Sequence, residues 1–246
     1  MRKAAVPLTL ILVLLAATFM SVAQPASGAE ATAENTWTSK APMHVARSDL
    51  GVVVVNGKIY AMGGNAEAGY MPNSEGNDYK ALGWIKDTNE EYDPATDTWK
   101  IKTPMPTPRC SFAIATLANK IYCMGGITNW ASGLISYTAV NEVYDPATNT
   151  WENKAPMPTP ASAQAAAVNG RIYVIGGGSN ETLNQVYDPT TDTWTTKKPM
   201  PVEPKFLGPN ALSTLVSAEV DGKIYIMTYY TLMPSGTWVY NPARDN

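Results

Sequence analysis

The sequence predicts an all-β protein built from one unit that is repeated four times. Three observations support this: apolar hairpins that close on Gly-Gly, a Tyr-Asp-Pro tripeptide after each hairpin, and a Trp seven residues after each Tyr. Three copies carry all these elements, namely Gly63-Gly64, Tyr92 and Trp99; Gly125-Gly126, Tyr144 and Trp151; and Gly176-Gly177, Tyr187 and Trp194. Ordered elements that recur every 40 to 60 residues, roughly, indicate a repeat architecture.

Each unit begins with two strands joined by a tight turn. Asn56-Gly57, Asn169-Gly170 and Asp221-Gly222 occupy three of these turns, and such pairs tolerate the positive φ angles of a two-residue hairpin. The second strand, for example 58–62, is apolar on both faces and must therefore be covered on both sides. Four-stranded sheets stacked face to face around an axis meet this requirement.

The combined pattern resembles the kelch repeat, a blade unit of β-propellers, over residues 36 to 242. The resemblance implies a kelch-type β-propeller of four recognisable blades. These blades lie near residues 44–103, 106–155, 158–198 and 202–242. The fourth copy departs from the pattern because Thr228-Tyr229 replaces Gly-Gly.

The two ends of the repeat region leave the number of blades open. A strand predicted at 36–41, around Trp37, has no blade ahead of it, and the Trp expected after Tyr240 would fall at position 247. In one interpretation the N-terminal strand completes the fourth blade and closes a four-bladed ring. In the other the chain is part of a larger propeller. An open end would expose strand edges and blade faces and so favour self-association.

Residues 1–29 have the pattern of a signal peptide, with a basic start, an apolar stretch from Ala4 to Met20, and small residues after it. Removal of this segment would leave a propeller domain at 30–246. We therefore expect a secreted protein, extracellular or periplasmic. Attachment to the cell surface is expected only if the apolar segment stays uncleaved in a membrane.

Composition argues against several classes of partner and site. The formal net charge is −3 and no Lys/Arg cluster follows the N-terminal segment, so nucleic acid is not an expected partner. His44 is the only histidine, which excludes a metal site needing two imidazoles, such as a galactose-oxidase-like copper centre. We expect no metal and no cofactor.

The two cysteines, Cys110 and Cys123, are predicted to be free thiols. The hairpin that turns at Ala118-Asn119 sets Cys123 opposite Ile114, which lies four residues, or roughly 13 Å, from Cys110. A disulfide requires Cα atoms within about 7 Å.

The loops between second and third strands are the predicted binding face. The aromatic candidates are Tyr70, Tyr79 and Trp84 in the first loop, and Trp130 and Tyr137 in the second. Lys205 belongs to an insertion before the fourth blade. Aromatic rings among Asn, Asp and Gly suit sugar or peptide recognition, but they could equally pin the long loops onto the propeller.

The resemblance also implies contacts from the residue after Gly-Gly and from the segment leading into each first strand. The matching candidates are Asn65, Arg47, Asp49, Arg109 and Ser111. For Arg47 and Arg109, a structural role in bonding carbonyls between blades is an equal alternative.

Catalytic signals are weak. Glu219, in the first strand of the fourth blade, could point into the channel mouth as a base, with Arg109 as the other candidate; the alternative is a strand-end Glu that reaches water. We expect a secreted or cell-surface module that binds a protein or glycan through its loop face without catalysis. The alternatives are a carbohydrate-modifying enzyme resembling secreted kelch sialic-acid epimerases, and a structural or adhesive surface protein.

Overall fold

A computed structural model describes the architecture of most of the repeat region. The described residues are 36–66, 70–72, 78–80, 84–131, 134–177, 182–201, 213–230 and 233–244. The chain divides into two units, Met1–Ser39 and Lys40–Asn246, and every described strand belongs to the second. In the described part of the chain, no helix has the length and hydrophobicity needed to span a membrane.

The described strands form four antiparallel sheets, here called blades I to IV. Blade I has the order β1-β2-β7-β8, with β1 at Gly51–Val55, β2 at Lys58–Met62, β7 at Asn89–Asp93 and β8 at Thr98–Ile101. Its insertion holds β3 (Asn65–Ala66), β4 (Tyr70–Pro72), β5 (Asp78–Lys80) and β6 (Trp84–Ile85).

Blades II and III repeat the same four-stranded order. Blade II contains β9 (Ala113–Leu117), β10 (Lys120–Met124), β13 (Asn141–Asp145) and β14 (Thr150–Lys154), with the hairpin β11 (Ile127–Ala131) and β12 (Leu134–Tyr137) inserted. Blade III contains β15 (Gln164–Val168), β16 (Arg171–Ile175), β17 (Asn184–Asp188) and β18 (Thr193–Thr196).

Blade IV contains three described strands. They are β19 (Ser213–Val220), β20 (Lys223–Tyr230) and β21 (Met233–Tyr240), followed by a 3-10 turn at Pro242–Arg244. The strand predicted at 36–41 is not formed, which corrects the sequence prediction: these residues enter no ladder, and a strand exists only through its partners. The predicted signal peptide at 1–29 and Lys205 lie outside the described residues.

The predicted turns and the cysteine register are confirmed. Asn56 and Gly57 have φ angles of 49° and 73°, as a tight hairpin turn with two left-handed residues requires. Cys123 pairs with Ile114 across the β9–β10 hairpin. Cys110 and Cys123 are both free and buried.

A hydrophobic core lies between each pair of neighbouring blades. Val55 and Met62 of blade I pack with Ile121 and Tyr144 of blade II, and similar clusters fill the next two boundaries. The first strands lie side by side in chain order, β1 to β9 to β15 to β19. Because each blade buries its faces only against its neighbours, the stability of one blade depends on the next.

An outer contact, here called the latch, repeats in blades I to III. In blade II the indole N–H of Trp151 donates to the carbonyl of Thr103 at 2.9 Å, and Tyr144 donates its hydroxyl to Asn149 at 2.7 Å. Asn149 Oδ1 also accepts the backbone N–H of Thr103 at 3.0 Å. The same bonds link Tyr92, Asp97 and Trp99 to Ala41, and Tyr187, Asp192 and Trp194 to Ala155. Each latch thus ties the outer strand of a blade to the segment that enters that blade.

Candidate functional site

The loop face lies at the end of the blades where second strands finish and first strands begin. Backbone bonds join these two places: Ser48 and Asn65 exchange N–H···O bonds of 2.9 and 2.7 Å, and Cys110 and Ile127 exchange bonds of 3.1 and 2.9 Å. The insertions of blades I and II therefore stand beside the segments that lead into β1 and β9.

Gly-Gly lets neighbouring backbones meet at this face. Gly125 has a φ of 65°, and a Cβ there would lie 2.2 Å from the carbonyl oxygen of Ala161 in the next blade. Gly126 donates its N–H to that oxygen at 2.8 Å. A side chain at Gly125 would force the two blades apart, so glycine is required by close approach as well as by φ.

The residues that follow Gly-Gly are buried by these contacts. Asn65 is 5% exposed and Ile127 is 6% exposed. Among the described residues, Asn65 Oδ1 has no hydrogen-bond partner. Asn65 therefore supports the base of the insertion, and its side chain has little surface to offer a large ligand.

Asp49 and Ser111 form a polar path across the loop face. Both occupy the left-handed region, with φ angles of 55° and 50°. Ser111 donates its N–H to the carbonyl of Asp49 at 2.8 Å, and its own carbonyl accepts the hydroxyl of Ser162 at 2.6 Å. Asp49 is exposed and its carboxylate accepts the Ser48 hydroxyl at 3.1 Å. The path runs from blade I to blade III and presents a carboxylate to solvent.

The aromatic candidates lie on the hairpins inserted at this face. Tyr70 and Tyr79 belong to the pair β4–β5, Trp84 is paired with Ala66, and Trp130 is paired with Ile135 in β11–β12. Tyr137 pairs with Ile127 and is half-buried, and this burial raises its pKa. At the same hairpin, Asn129 is exposed and Ile135 is 39% exposed.

The structure places Arg109 inside the protein. Its side chain is wholly buried, donates to Glu142 Oε2 at 2.8 Å and to the carbonyl of Cys123 at 3.0 Å, and lies over the ring of Phe112. Thr107 donates its hydroxyl to the other carboxylate oxygen of Glu142 at 2.6 Å. Arg109 thus joins the entry segment of blade II to β10 and β13.

Arg47 holds the same position in blade I. Its buried guanidinium donates to Glu90 and, at 2.9 Å, to the carbonyl of Ala61. His44, half-exposed, bonds Glu90 Oε1 through its backbone N–H at 2.9 Å and through Nδ1 at 2.7 Å. Burial works to raise the pKa of Glu90, but the hydrogen bonds from Arg47 and His44 outweigh it and lower that pKa.

Blade III carries a neutral version of this pair. Ala161 stands where the arginine would be, and Gln185 replaces the glutamate. Gln185 bonds both the N–H and the carbonyl of Thr159, at 2.8 and 3.1 Å. Sequence reasoning missed the glutamate partners. A comparison of the repeats could have identified them, because the third repeat replaces both the arginine, by Ala161, and the glutamate, by Gln185.

Glu219 lies at the surface rather than in a buried site. It is exposed, and its Oε1 accepts the backbone N–H of Gly222 at 2.7 Å. The carboxylate therefore caps the Asp221-Gly222 turn. Among the described residues, Glu219 does not meet Arg109, which donates to Cys123 and Glu142 in blade II. Across the described residues, no group of three or more His, Cys, Asp or Glu side chains could hold a metal ion.

Comparison with known proteins identifies the repeat. The kelch motif matches residues 46–73, 108–158 and 160–201. Beta-scruin of Limulus polyphemus is 32% identical over 146 residues, which are 58% of this chain and 14% of that protein. Kelch repeat and BTB domain-containing protein 12 of Homo sapiens is 30% identical over 150 residues, 57% of this chain and 23% of that protein.

Kelch-like protein 25 of Xenopus tropicalis gives a similar match, with 32% identity over 155 residues, 61% of this chain and 24% of that protein. The chain thus spans at most a quarter of the length of these three relatives. The motif matches cover the first hairpin of blade I and the four strands of blades II and III, and they include all three Gly-Gly pairs. The chain belongs to the kelch-repeat family, and its four sheets are blades of a kelch-type β-propeller.

Proposed function

We propose that this chain is a binding module that holds a partner protein on its loop face. One observation carries the proposal: long hairpins stand on blades I and II at the end where Asp49 is exposed, on a base fixed by backbone bonds. Binding residues are commonly found on loops held by a rigid scaffold. The relationship to kelch-repeat proteins supports a protein partner in general.

The exposed groups suggest the chemistry of recognition. At the hairpin β11–β12, Ile135 offers apolar surface on one face, and the exposed Asn129 belongs to the other face. Asp49 adds a negative charge on the neighbouring entry segment, in a chain whose formal net charge is −3. A small apolar contact rimmed by polar and acidic groups suits a partner surface that carries a basic residue beside an apolar one.

The hairpin of blade II provides the sharpest test. Replacing residues 130–135 with Asn-Gly joins the paired residues Asn129 and Ser136 through a two-residue turn and leaves Ile127 in place. As a control, the same dipeptide replaces Ala118-Asn119, the turn of the β9–β10 hairpin at the opposite end of blade II. Both variants are expected to fold as the wild type does.

The three proteins are applied to an array of folded proteins and to a glycan array. A ligand bound by the wild type and by the control, but lost with the shortened hairpin, supports recognition through the loop face. A ligand that binds all three proteins equally well contradicts it.

Glycan recognition is a second candidate, supported by the aromatic residues on the inserted strands. Tyr70, Tyr79, Trp84 and Trp130 all belong to these hairpins, and aromatic faces can stack on sugar rings. The glycan array decides between the two classes: hits there that Trp130→Ala abolishes favour a sugar, whereas hits confined to the protein array favour a protein.

We also propose that the module is exported from the cytoplasm. Support comes from the sequence, which has a basic start and an apolar stretch at 4–20 followed by small residues. Expression of the whole chain in a cell that secretes proteins, followed by intact mass measurement, tests this. A product that lacks about the first 29 residues is expected, and a full-length product retained in the cell contradicts it.

A further inference from the structure

The imidazole of His44 is held against a buried carboxylate in the segment that leads into β1. Its Nδ1 lies 2.7 Å from Glu90 Oε1, which also accepts the backbone N–H of His44 at 2.9 Å. The buried guanidinium of Arg47 donates to the other oxygen of this carboxylate. Glu90 is the second residue of β7, which begins at the loop face. The imidazole is therefore fixed at one nitrogen, by a carboxylate that a second residue holds in place.

The charge of Glu90 determines which nitrogen of the imidazole carries the proton. Although burial works to raise the pKa of Glu90, the hydrogen bonds from Arg47 and His44 lower it, so the carboxylate is ionised at neutral pH. An ionised carboxylate can only accept hydrogen bonds, so Nδ1 of His44 must be the donor. A neutral imidazole has one donor and one acceptor nitrogen. Nε2 of His44 therefore keeps its lone pair and is free to accept a hydrogen bond.

The ring of His44 is accessible from solvent. Its side chain is 49% exposed, and because Nδ1 is engaged with a buried carboxylate, the exposed side of the ring is the one that carries Nε2. Pro106 and Pro158 occupy the matching positions of blades II and III, and both are exposed. Each of these two blades packs between two others, so exposure is a property of this position in the repeat.

The blade architecture does not need an imidazole at this position. In blade II the hydroxyl of Thr107 donates to the corresponding oxygen of Glu142 at 2.6 Å, and in blade III a backbone N–H has this role. Blade I has Val45 at the position of Thr107, and a valine side chain cannot donate. His44 thus supplies a bond that a hydroxyl supplies in blade II, and in addition it places a polar ring on the surface.

Asp49 presents a second acceptor on the same segment. Its side chain is exposed, and its carboxylate accepts the Ser48 hydroxyl at 3.1 Å. Among the described residues, no ion pair includes this carboxylate. Between His44 and Asp49 the exposed residue is Ala46, whose side chain is a methyl group, while the guanidinium of Arg47 is buried. The segment therefore offers solvent two acceptors and one negative charge, without an exposed cation of its own.

We propose that His44 contacts the partner on the loop face, where its Nε2 accepts a hydrogen bond from a lysine or arginine side chain. The inference rests on the proposed function and adds to it a residue that selects the basic group. A carboxylate bonded to one nitrogen of an imidazole raises the basicity of the other, and a charged donor makes the stronger kind of hydrogen bond. Glu90 and Arg47 are positioning residues, since they act on the partner only through His44.

The position of the imidazole proton can be measured without a partner. His44 is the only histidine in the sequence, so the chain labelled with ¹⁵N-histidine gives nitrogen NMR signals from one ring. At neutral pH we expect a proton on Nδ1 and the signal of an unprotonated nitrogen from Nε2. A ring that carries its proton on Nε2 would overturn the proposal, because that nitrogen could then no longer accept a bond.

A double variant separates recognition from structural support. His44→Pro with Val45→Thr reproduces Pro106-Thr107 of blade II, so a hydroxyl replaces the imidazole as the donor to Glu90. Val45→Thr alone keeps His44 and is the matched control. Both variants should unfold at the urea concentration that unfolds the wild type, because the carboxylate keeps a donor in each.

The probe is an array of peptides with one arginine or lysine beside a leucine, each matched by a peptide in which glutamine replaces the basic residue. The wild type and Val45→Thr should bind basic peptides. The double variant should bind them roughly 10- to 100-fold more weakly, the effect of losing one hydrogen bond to a charged group. In the wild type, a bound peptide should also shift the NMR signal of Nε2.

Three results would overturn the proposal: equal binding by the double variant, equal binding of the glutamine peptides, or a wild type that binds none of the basic peptides. The proposed function fails by a different result, namely a shortened β11–β12 hairpin that keeps every ligand of the wild type. The two failures are therefore distinguishable.

Discussion

The guanidinium of Arg109 and the carboxylate of Glu142 form an ion pair inside the propeller, with Nη2 and Oε2 2.8 Å apart and both side chains almost wholly buried. Blade III performs the same connection without charge, through Gln185 bonded to the backbone of Thr159. The comparison within one molecule shows that the blade geometry does not require an ion pair. In blades I to III, both members of the ion pair are present or both are absent.

Arg109→Ala should destabilise the protein by about 3–5 kcal/mol, because Glu142 would then be a buried charge without its partner. The double variant Arg109→Ala with Glu142→Gln reproduces the residue pair of blade III and should recover much of this loss. Urea unfolding of the wild type, the single variant and the double variant measures the difference. A double variant that is no more stable than Arg109→Ala alone would contradict this account of the pair.

Asn149 should be the most sensitive residue of the blade II latch. Its Oδ1 accepts two bonds, from Tyr144 and from the N–H of Thr103, and its φ is 57°. Asn149→Ala loses both bonds and replaces Asn, which tolerates the left-handed region, with a residue that tolerates it poorly, at a cost of roughly 2–4 kcal/mol. Asn149→Asp supplies the residue found in the other two latches and should be close to neutral at pH 7. Thermal unfolding compares them, and an alanine variant as stable as the aspartate variant would argue against the latch.

Stability should fall on both sides of a neutral plateau because the latches contain a carboxylate and a phenol. The Tyr92 hydroxyl and the Ala41 N–H lower the pKa of Asp97, so its contribution is present above its ordinary value and is lost as pH falls below about 4. The bond to Asp97 raises the pKa of Tyr92 to about 12, so that contribution is complete below about pH 10 and lost above it.

The measurement for this prediction is the free energy of unfolding from pH 3 to pH 10.5. Blade II supplies the control, since its latch has the neutral Asn149 in place of the carboxylate. Asp97→Asn with Asp192→Asn should therefore flatten the acid side of the profile and leave its neutral part unchanged. If the free energy of unfolding falls equally steeply at acid pH in this variant, the loss comes from other carboxylates, and Glu90 is the first to examine.

The repeat made the blades and their register predictable. Turn pairs such as Asn56-Gly57 and the length of each hairpin determine which residues face each other, so the pairing of Cys123 with Ile114 followed from local sequence. Arg109 and Glu142 are 33 residues apart, and the pattern within one repeat does not reveal such a partner. It becomes visible only when the repeats are compared, because Ala161 and Gln185 change together.

The structure of the inserted hairpins and of the N-terminal segment could not be predicted from local sequence, for a different reason. β11 contains Thr and Asn, and neither β11 nor β12 has a strict alternation of apolar and polar residues, so both were predicted as loop. Residues 36–41 have the sequence of a fourth strand, but a strand needs a neighbouring edge. Sequence pattern alone does not show which edge is available.

Both cysteines should remain unreactive while the protein is folded. Burial raises the pKa of Cys110 to about 11 and that of Cys123 to about 12, and Cys123 Sγ packs 3.7 Å from Met62 Sδ. Only thiolate reacts at a useful rate, so a thiol reagent at pH 8 should label neither residue in the native state. In urea, without any reductant, two labels per chain should appear, because no disulfide joins the two residues. Rapid labelling of native protein would show that the core between blades I and II opens locally, and a missing pair of labels in urea would reveal a disulfide.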